Sequence, residues 1–160
     1  MAELPSPPPV YFIVNRLLLP GFQELAAQYN HVNQPLTAPV FDPTNKGQLW
    51  VIASLEKPTT IVPFHRRDEQ AAAHELRPPL PEPNFVIAET AVRPHEWLIR
   101  SEDPDKPLEN VRIIDFGKPV GKPGEIWGLE KPVPGEKVAL EDDKNRLDQR
   151  WDLRRVALPE

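Results

Sequence analysis

NKGQLWVIASLE, residues 45–56, sets Trp50 two places after Gln48 and two places before Ile52. The frame returns as HEWLIRSE (95–102) and as QRWDLRRV (149–156), with Trp97 ahead of Ile99 and Trp151 ahead of Leu153. Side chains two apart share one face of a strand, so each frame reads as a strand carrying a large ring and an aliphatic on the same side. From Trp50 to Trp97 is 47 residues and from Trp97 to Trp151 is 54, which divides the chain into three comparable units.

Working outward from the frames, β-rich runs open the three units at Tyr11–Arg16, Thr59–Phe64 and Val111–Asp115. Two weaker apolar segments lie inside each unit: Glu24–Tyr29 and Thr37–Phe41, Gln70–Leu76 and Phe85–Glu89, Glu125–Glu130 and Lys137–Leu140. Four strands per unit predict twelve. The 22 prolines among 160 residues sit between the apolar runs, and there they punctuate strands rather than mark disorder. They also exclude helices, since almost no window of a dozen residues escapes one; Arg67–Leu76 is the one short helical candidate. Pro5–Pro9 reads as a free tail, so the expected organisation is a flexible segment over 1–9 and one domain over 10–160, with repeats at about 10–56, 57–104 and 105–158.

Repeats near 50 residues also build propellers, but those need about four blades or more. A closed barrel of pseudo-threefold symmetry uses three units, so the expected fold is all-β, a β-trefoil of three four-stranded repeats. In such a barrel the three tryptophans point inward and fill one core layer. Full burial of such a ring contributes on the order of 3 kcal/mol, so packing alone accounts for the recurrence.

Composition limits the function. A chain 39% hydrophobic and 27% charged supports one compact domain. Its net charge of -5 is spread over interleaved residues, with no basic block beyond Arg66-Arg67 and Arg154-Arg155, which argues against nucleic acid and anionic membranes as partners. Cysteine is absent, so no disulfide framework or thiolate metal site is expected. MAELPSPPPV lacks the basic start and apolar run of a signal peptide, which predicts a cytoplasmic protein. No apolar run reaches the roughly 18 residues of a membrane span.

The polar residues offer little chemistry. His31, His65, His74 and His95 are scattered without metal-ligand spacing, and Glu141-Asp142-Asp143 lacks the alternation of a calcium loop. No nucleophile elbow or phosphate loop is present, so the sequence predicts neither an enzyme nor a cofactor or metal. Trp127 stands where the other repeats have small residues near Ala27 and Ala72. It reads either as core or, with Asp115 and Phe116, as a third-repeat sugar site pairing a carboxylate with a ring.

YFIVNRLLLPGFQELAAQY, followed by PLTAPVFDP and QLWVIASL, resembles the first repeat of the small mushroom β-trefoil lectins of the ink-cap fruiting-body type, within the ricin-B-like lectin superfamily. The shared pattern is a strand ending in Asn-Arg, a Pro/Gly turn, a Leu-Ala strand ending in Tyr, and the Trp frame. It runs more thinly through VRIIDFG, EIWGLE, GEKVAL and QRWDLRRV. The resemblance implies a fungal cytoplasmic lectin, with glycoprotein or glycolipid glycans as partners, a possible homodimer, and a role in defence against nematodes and insects. It also implies a glycan site on repeat two, at Pro94, His95, Glu96 and Trp97 after Arg93, faced by His74, Glu75 and Leu76 and by Leu55. This chain departs from the pattern by His95, where the family has a tyrosine, and by the lack of a ring near His74–Leu76. Less stacking surface predicts weaker affinity for the family's fucosylated ligand.

Fungal β-trefoils also include inhibitors of serine and cysteine proteases, so a protease is the alternative partner. The loops that fit that role are Phe64-His65-Arg66-Arg67-Asp68, with arginines suited to a trypsin-like pocket, and the Pro/Gly-stiffened stretch 117–124.

Overall fold

The computed structural model describes residues 9–74, 85–91, 93–116, 125–129, 131 and 133–156, the side chain of His74 excepted. Eleven strands run in chain order: β1 Val10–Asn15, β2 Thr37–Ala38, β3 Leu49–Ile52, β4 Ile61–Pro63, β5 Glu69–His74, β6 Phe85–Thr90, β7 Trp97–Ser101, β8 Val111–Asp115, β9 Ile126–Leu129, β10 Glu136–Glu141 and β11 Trp151–Val156. Single 3-10 turns at Lys46–Gln48 and Leu147–Gln149 lead into β3 and β11.

Six of the strands close into a barrel. β1 lies between β11 and β3, β3 pairs with β4, β7 with β8, and β8 with β11. The remaining seam joins Thr59, just ahead of β4, to Trp97: each amide donates to the other's carbonyl, at 2.9 and 2.7 Å. That bridge closes the ring between β4 and β7. Hairpins β5–β6 and β9–β10 lie outside this ring and meet each other at Ala139 and Phe85, while β2 pairs with β10. This is the β-trefoil arrangement.

The core follows the threefold pattern. Trp50, Trp97 and Trp151 are fully buried, and each indole Nε1 donates to a carbonyl of its own repeat's second segment: Ala27 at 3.0 Å, Ala71 at 2.9 Å and Trp127 at 3.0 Å. Ile13, Ile61 and Ile113, two residues before the last positions of β1, β4 and β8, are buried in the same cluster. Equivalent backbone bonds tie each frame to the strand opening the next unit around the ring: Phe64 N to Leu49 O at 3.0 Å, Phe116 N to Glu96 O at 3.2 Å, and Arg16 N to Arg150 O at 2.9 Å.

Three expectations are corrected. Eleven strands form among the described residues rather than twelve, because residues 24–29 pair only through the isolated bridges Val14–Ala26, Leu25–Val40 and Gln28–Thr37. Pro39 lies opposite this segment and has no N–H to extend a ladder, although its carbonyl accepts from Ala26 N at 3.0 Å. Residues 69–74 of the helical candidate form β5, paired residue by residue with β6. Pro9 belongs to the barrel rather than to a tail, since it is buried and its carbonyl accepts from Ile52 N at 3.3 Å; residues 1–8 lie outside the described residues.

Candidate functional site

The three Trp frames differ in the residue two places before the ring. Gln48 and Gln149 are buried and staple their loops: Gln48 accepts from Asp42 N at 2.9 Å and donates to Val40 O at 3.2 Å, while Gln149 accepts from Lys144 N at 2.8 Å and donates to Asp142 O at 2.9 Å. In repeat two this position is His95, and the stapling passes to Gln70 of β5. Buried Gln70 accepts from His95 N at 3.0 Å and donates to Arg93 O at 2.6 Å. The imidazole is thereby released from holding the loop. It packs on Trp97, ring centroids 4.8 Å apart, and sets Nε2 3.0 Å from Asp115 Oδ1, where the ring N–H donates to the carboxylate.

Strand register brings Asp115 there. β7 and β8 run antiparallel with Trp97 opposite Asp115, so His95 and Glu96, just before β7, meet Asp115 and Phe116, at the end of β8. Phe116 is 54% exposed and is held to Glu96 by the backbone bond already described, while Glu96 is exposed and His95 half-buried. The repeat-two loop and the third-repeat pair Asp115–Phe116, separate candidates in sequence, thus meet at one end of the β7–β8 pair, where the exposed Phe116 ring, the exposed Glu96 carboxylate and the half-buried His95 imidazole form a patch and Asp115, 3% exposed, holds the imidazole from beneath. Hydroxyl groups are met by such oxygens and N–H groups, and an apolar C–H face by the ring.

Other expected site residues lie elsewhere. Trp97 and Trp127 are fully buried, so neither ring reaches a surface ligand. Trp127 stacks edge-on against Trp97 and Trp151, at centroid distances of 5.4 and 6.3 Å, and the core reading of that residue holds. Leu55 packs partly buried against the core, in a turn tied by Glu56 N to Ile99 O, away from the Trp97 end of β7. Pro94 is exposed in the loop before β7. The side chain of His74, and Glu75 and Leu76 entirely, lie outside the described residues. Sequence reasoning missed Gln70, whose signal was a glutamine breaking the apolar character of the run 70–76.

Of the protease-facing loops, 117–124 lies outside the described residues. In the other, Arg66 is held by the buried carboxylate of Glu69 at 2.9 Å, and Glu69 also accepts from the Tyr29 hydroxyl at 2.8 Å. Burial, with that hydrogen bond, pushes the Tyr29 phenol above its ordinary range. Arg67 donates to Phe64 O at 2.9 Å and lies over the Phe64 ring. Both arginines are thus engaged within the loop. Among the described residues, no cluster of three or more potential metal ligands occurs, and no helix is long and apolar enough to cross a membrane.

The fold is shared with solved structures at low identity. A ricin B-like lectin of Macrolepiota procera in complex with lactose superposes with a TM-score of 0.65 at 17% identity, covering 92% of this chain and 95% of that one. The agglutinin of Rhizoctonia solani gives 0.66 at 11% identity, covering 97% and 100%. ThreeFoil, a designed threefold-symmetric protein, gives 0.68 at 12%, covering 91% and 97%. No curated protein matches the chain in sequence. The profile of the CCL2-like family, described as CCL2 lectin-like, matches residues 9–151. That span takes in all three Trp frames up to Trp151 and the whole His95–Phe116 patch, and the chain belongs to the CCL2 lectin-like family.

Proposed function

We propose that this protein is a lectin that binds a glycan at the His95–Phe116 patch and acts by binding, not by catalysis. The observation that carries the reading is the half-exposed Phe116 ring fixed beside Glu96 and the His95–Asp115 hydrogen bond, in a member of a lectin-like family. A sugar laid over Phe116 meets the ring with its C–H face and turns its hydroxyls toward Glu96 and the exposed edge of His95, which buried Asp115 holds in place. Burial of Trp97 beneath His95 makes the patch shallow, so selectivity rests on the polar groups. A defensive role, with cytoplasmic storage and binding of a grazer's surface glycans after ingestion, follows from the resemblance to mushroom lectins.

A glycan array on the wild type, on Phe116→Ala and on the double variant His95→Ala/Glu96→Ala tests this. Binding is expected for the wild type and at least tenfold weaker binding for both variants, with the melting temperature little changed in Phe116→Ala, a surface truncation, and lowered in the double variant, which takes a hydrogen-bond donor from the buried Asp115 carboxylate. Inhibition of trypsin and papain is measured on the same samples. Protease inhibition without any glycan bound would overturn the reading, as would glycan binding indifferent to all three residues.

A further inference from the structure

A cleft of about 550 Å³ lies apart from the His95–Phe116 patch, between the end of repeat two and the loop leading into the third Trp frame. Glu102, Asn110 and Arg112 line one side and Asn145, Leu147 and Arg150 the other, with Arg146 beside them. The volume falls within the roughly 300–1,000 Å³ of small-molecule sites.

The polar walls are fixed by an ion network. Arg150 is a nearly buried side chain, 4% exposed, whose guanidinium donates to Asn145 Oδ1 at 2.8 Å and Asp143 Oδ1 at 3.1 Å. Asp143 also takes Arg112 Nε, at 2.5 Å, and Glu102 pairs with Arg112 and lies 3.6 Å from Arg150 Nε. Guanidinium and carboxylate groups therefore alternate around the cleft. Arg146 is drawn to Glu141 at 2.9 Å and Asp148 at 3.1 Å. Three arginines thus face four carboxylates in the network, Glu102, Glu141, Asp143 and Asp148, so the cleft has no surplus positive charge for an anion.

What it does present is N–H donors and carboxylate and amide oxygens at set positions, beside an apolar lip formed by Leu147, 57% exposed. A saccharide hydroxyl both donates and accepts, so neighbouring hydroxyls on one ring match an alternating donor–acceptor wall. Groups already locked by their neighbours lose little freedom on binding. Leu147 offers the sugar's C–H face a contact without a ring.

We propose that this cleft is a second saccharide site, selective for uncharged sugars; it rests on the lectin reading of the protein but uses none of the residues of the first patch. Arg150 stands immediately before Trp151 as Glu96 stands before Trp97, but its charge is taken up by Asp143 and Glu102 within the cleft whereas Glu96 is exposed, so the two sites differ in what they offer a sugar.

An NMR titration of the full-length, isotope-labelled chain, followed through its backbone amides, tests the proposal. The probes are the neutral disaccharides lactose, cellobiose and N,N′-diacetylchitobiose, and the acidic trisaccharide sialyllactose. Saturable shifts at Asn110, Arg112 and Asn145–Leu147 with a neutral sugar are expected. They should persist in Phe116→Ala and weaken at least tenfold in Glu102→Ala/Leu147→Ala, which removes two partly exposed side chains. Because wild-type shifts locate the site by themselves, the proposal stays testable even if that variant fails to fold. Shifts confined to residues around His95 and Phe116 would overturn the second site and leave the lectin reading standing. Cleft shifts with sialyllactose alone would overturn the preference for uncharged sugars. No shift at either place with any probe would count against both readings.

Discussion

One indole nitrogen separates Trp127 from the other three tryptophans. All four rings are fully buried, but Nε1 of Trp127 has no hydrogen-bond partner among the described residues, whereas those of Trp50, Trp97 and Trp151 each meet a backbone carbonyl. Replacing Trp50 by Phe removes ring volume and also strips the Ala27 carbonyl of its indole donor. Replacing Trp127 by Phe removes the same volume and relieves a buried unpaired N–H. Leaving a buried polar group unsatisfied costs about 1–3 kcal/mol, so Trp50→Phe is expected to lower stability by roughly that much more than Trp127→Phe. Urea unfolding of the two variants measures the difference, and equal losses would show that the indole bonds add no net stability. The inward tryptophans were legible in sequence because a frame repeated three times needs one structural explanation. The site was legible only in halves. His95 and Phe116 are 21 positions apart in the chain and meet through the pairing of Trp97 with Asp115, a register no local pattern encodes.

At the scale of elements, the loop from Asp142 to Arg150 shows how a segment without strand pairing is held. Asp143 bridges Arg112 of β8 and Arg150. Burial works to raise its carboxyl, but the hydrogen bonds from Asn145 N–H, Arg112 and Arg150 outweigh it and hold the carboxyl below the usual range. A carboxyl lowered on folding stabilises the folded state fully above its unfolded value of about 3.9 and loses that contribution as pH falls through the lowered folded value. Asp143→Asn is therefore expected to be less stable than wild type at neutral pH, with the gap closing as pH drops below about 4. The side chain is 35% exposed, so the gap is modest, on the order of 1 kcal/mol. Asp148 acts in the other direction, because burial raises its carboxyl against the pull of Arg146. Taking the difference between wild type and variant by urea unfolding across pH cancels its contribution, and a gap that stays constant to pH 2 would refute the bridge. The repeat-one segment 24–29 teaches the converse, for its apolar pattern was legible but Pro39 opposite it removed the donor a ladder needs.

For the whole molecule, the first and last strands among the described residues form one seam of the barrel. β1 and β11 pair along their full length, from Val10 opposite Val156 to Asn15 opposite Trp151, so the start and finish of the barrel lie side by side. The boundary between repeats one and two, by contrast, is an exposed turn at Glu56–Pro58, where Glu56 adopts a φ of +64° and its backbone joins β7 by a single hydrogen bond. If the fold is set by three near-equivalent units and not by chain order, the order can be rotated. A circular permutant that links residue 156 to residue 9 by a short Gly/Ser segment and opens between Lys57 and Pro58 reads repeat two, repeat three, repeat one. It keeps every pairing of the barrel, including the Thr59–Trp97 seam and the β7–β8 register that assembles the His95–Phe116 patch. Adjacent termini and an exposed break point are the conditions under which permutation is tolerated. The permutant is expected to give the β-dominated circular dichroism of the parent, a melting temperature within about 10 °C of it, and the same glycan-array profile. A permutant that folds but binds no glycan would show that the patch depends on strain in the 53–58 turn. One that does not fold would show that repeat one must form first, making chain order, not symmetry, the determinant of the fold.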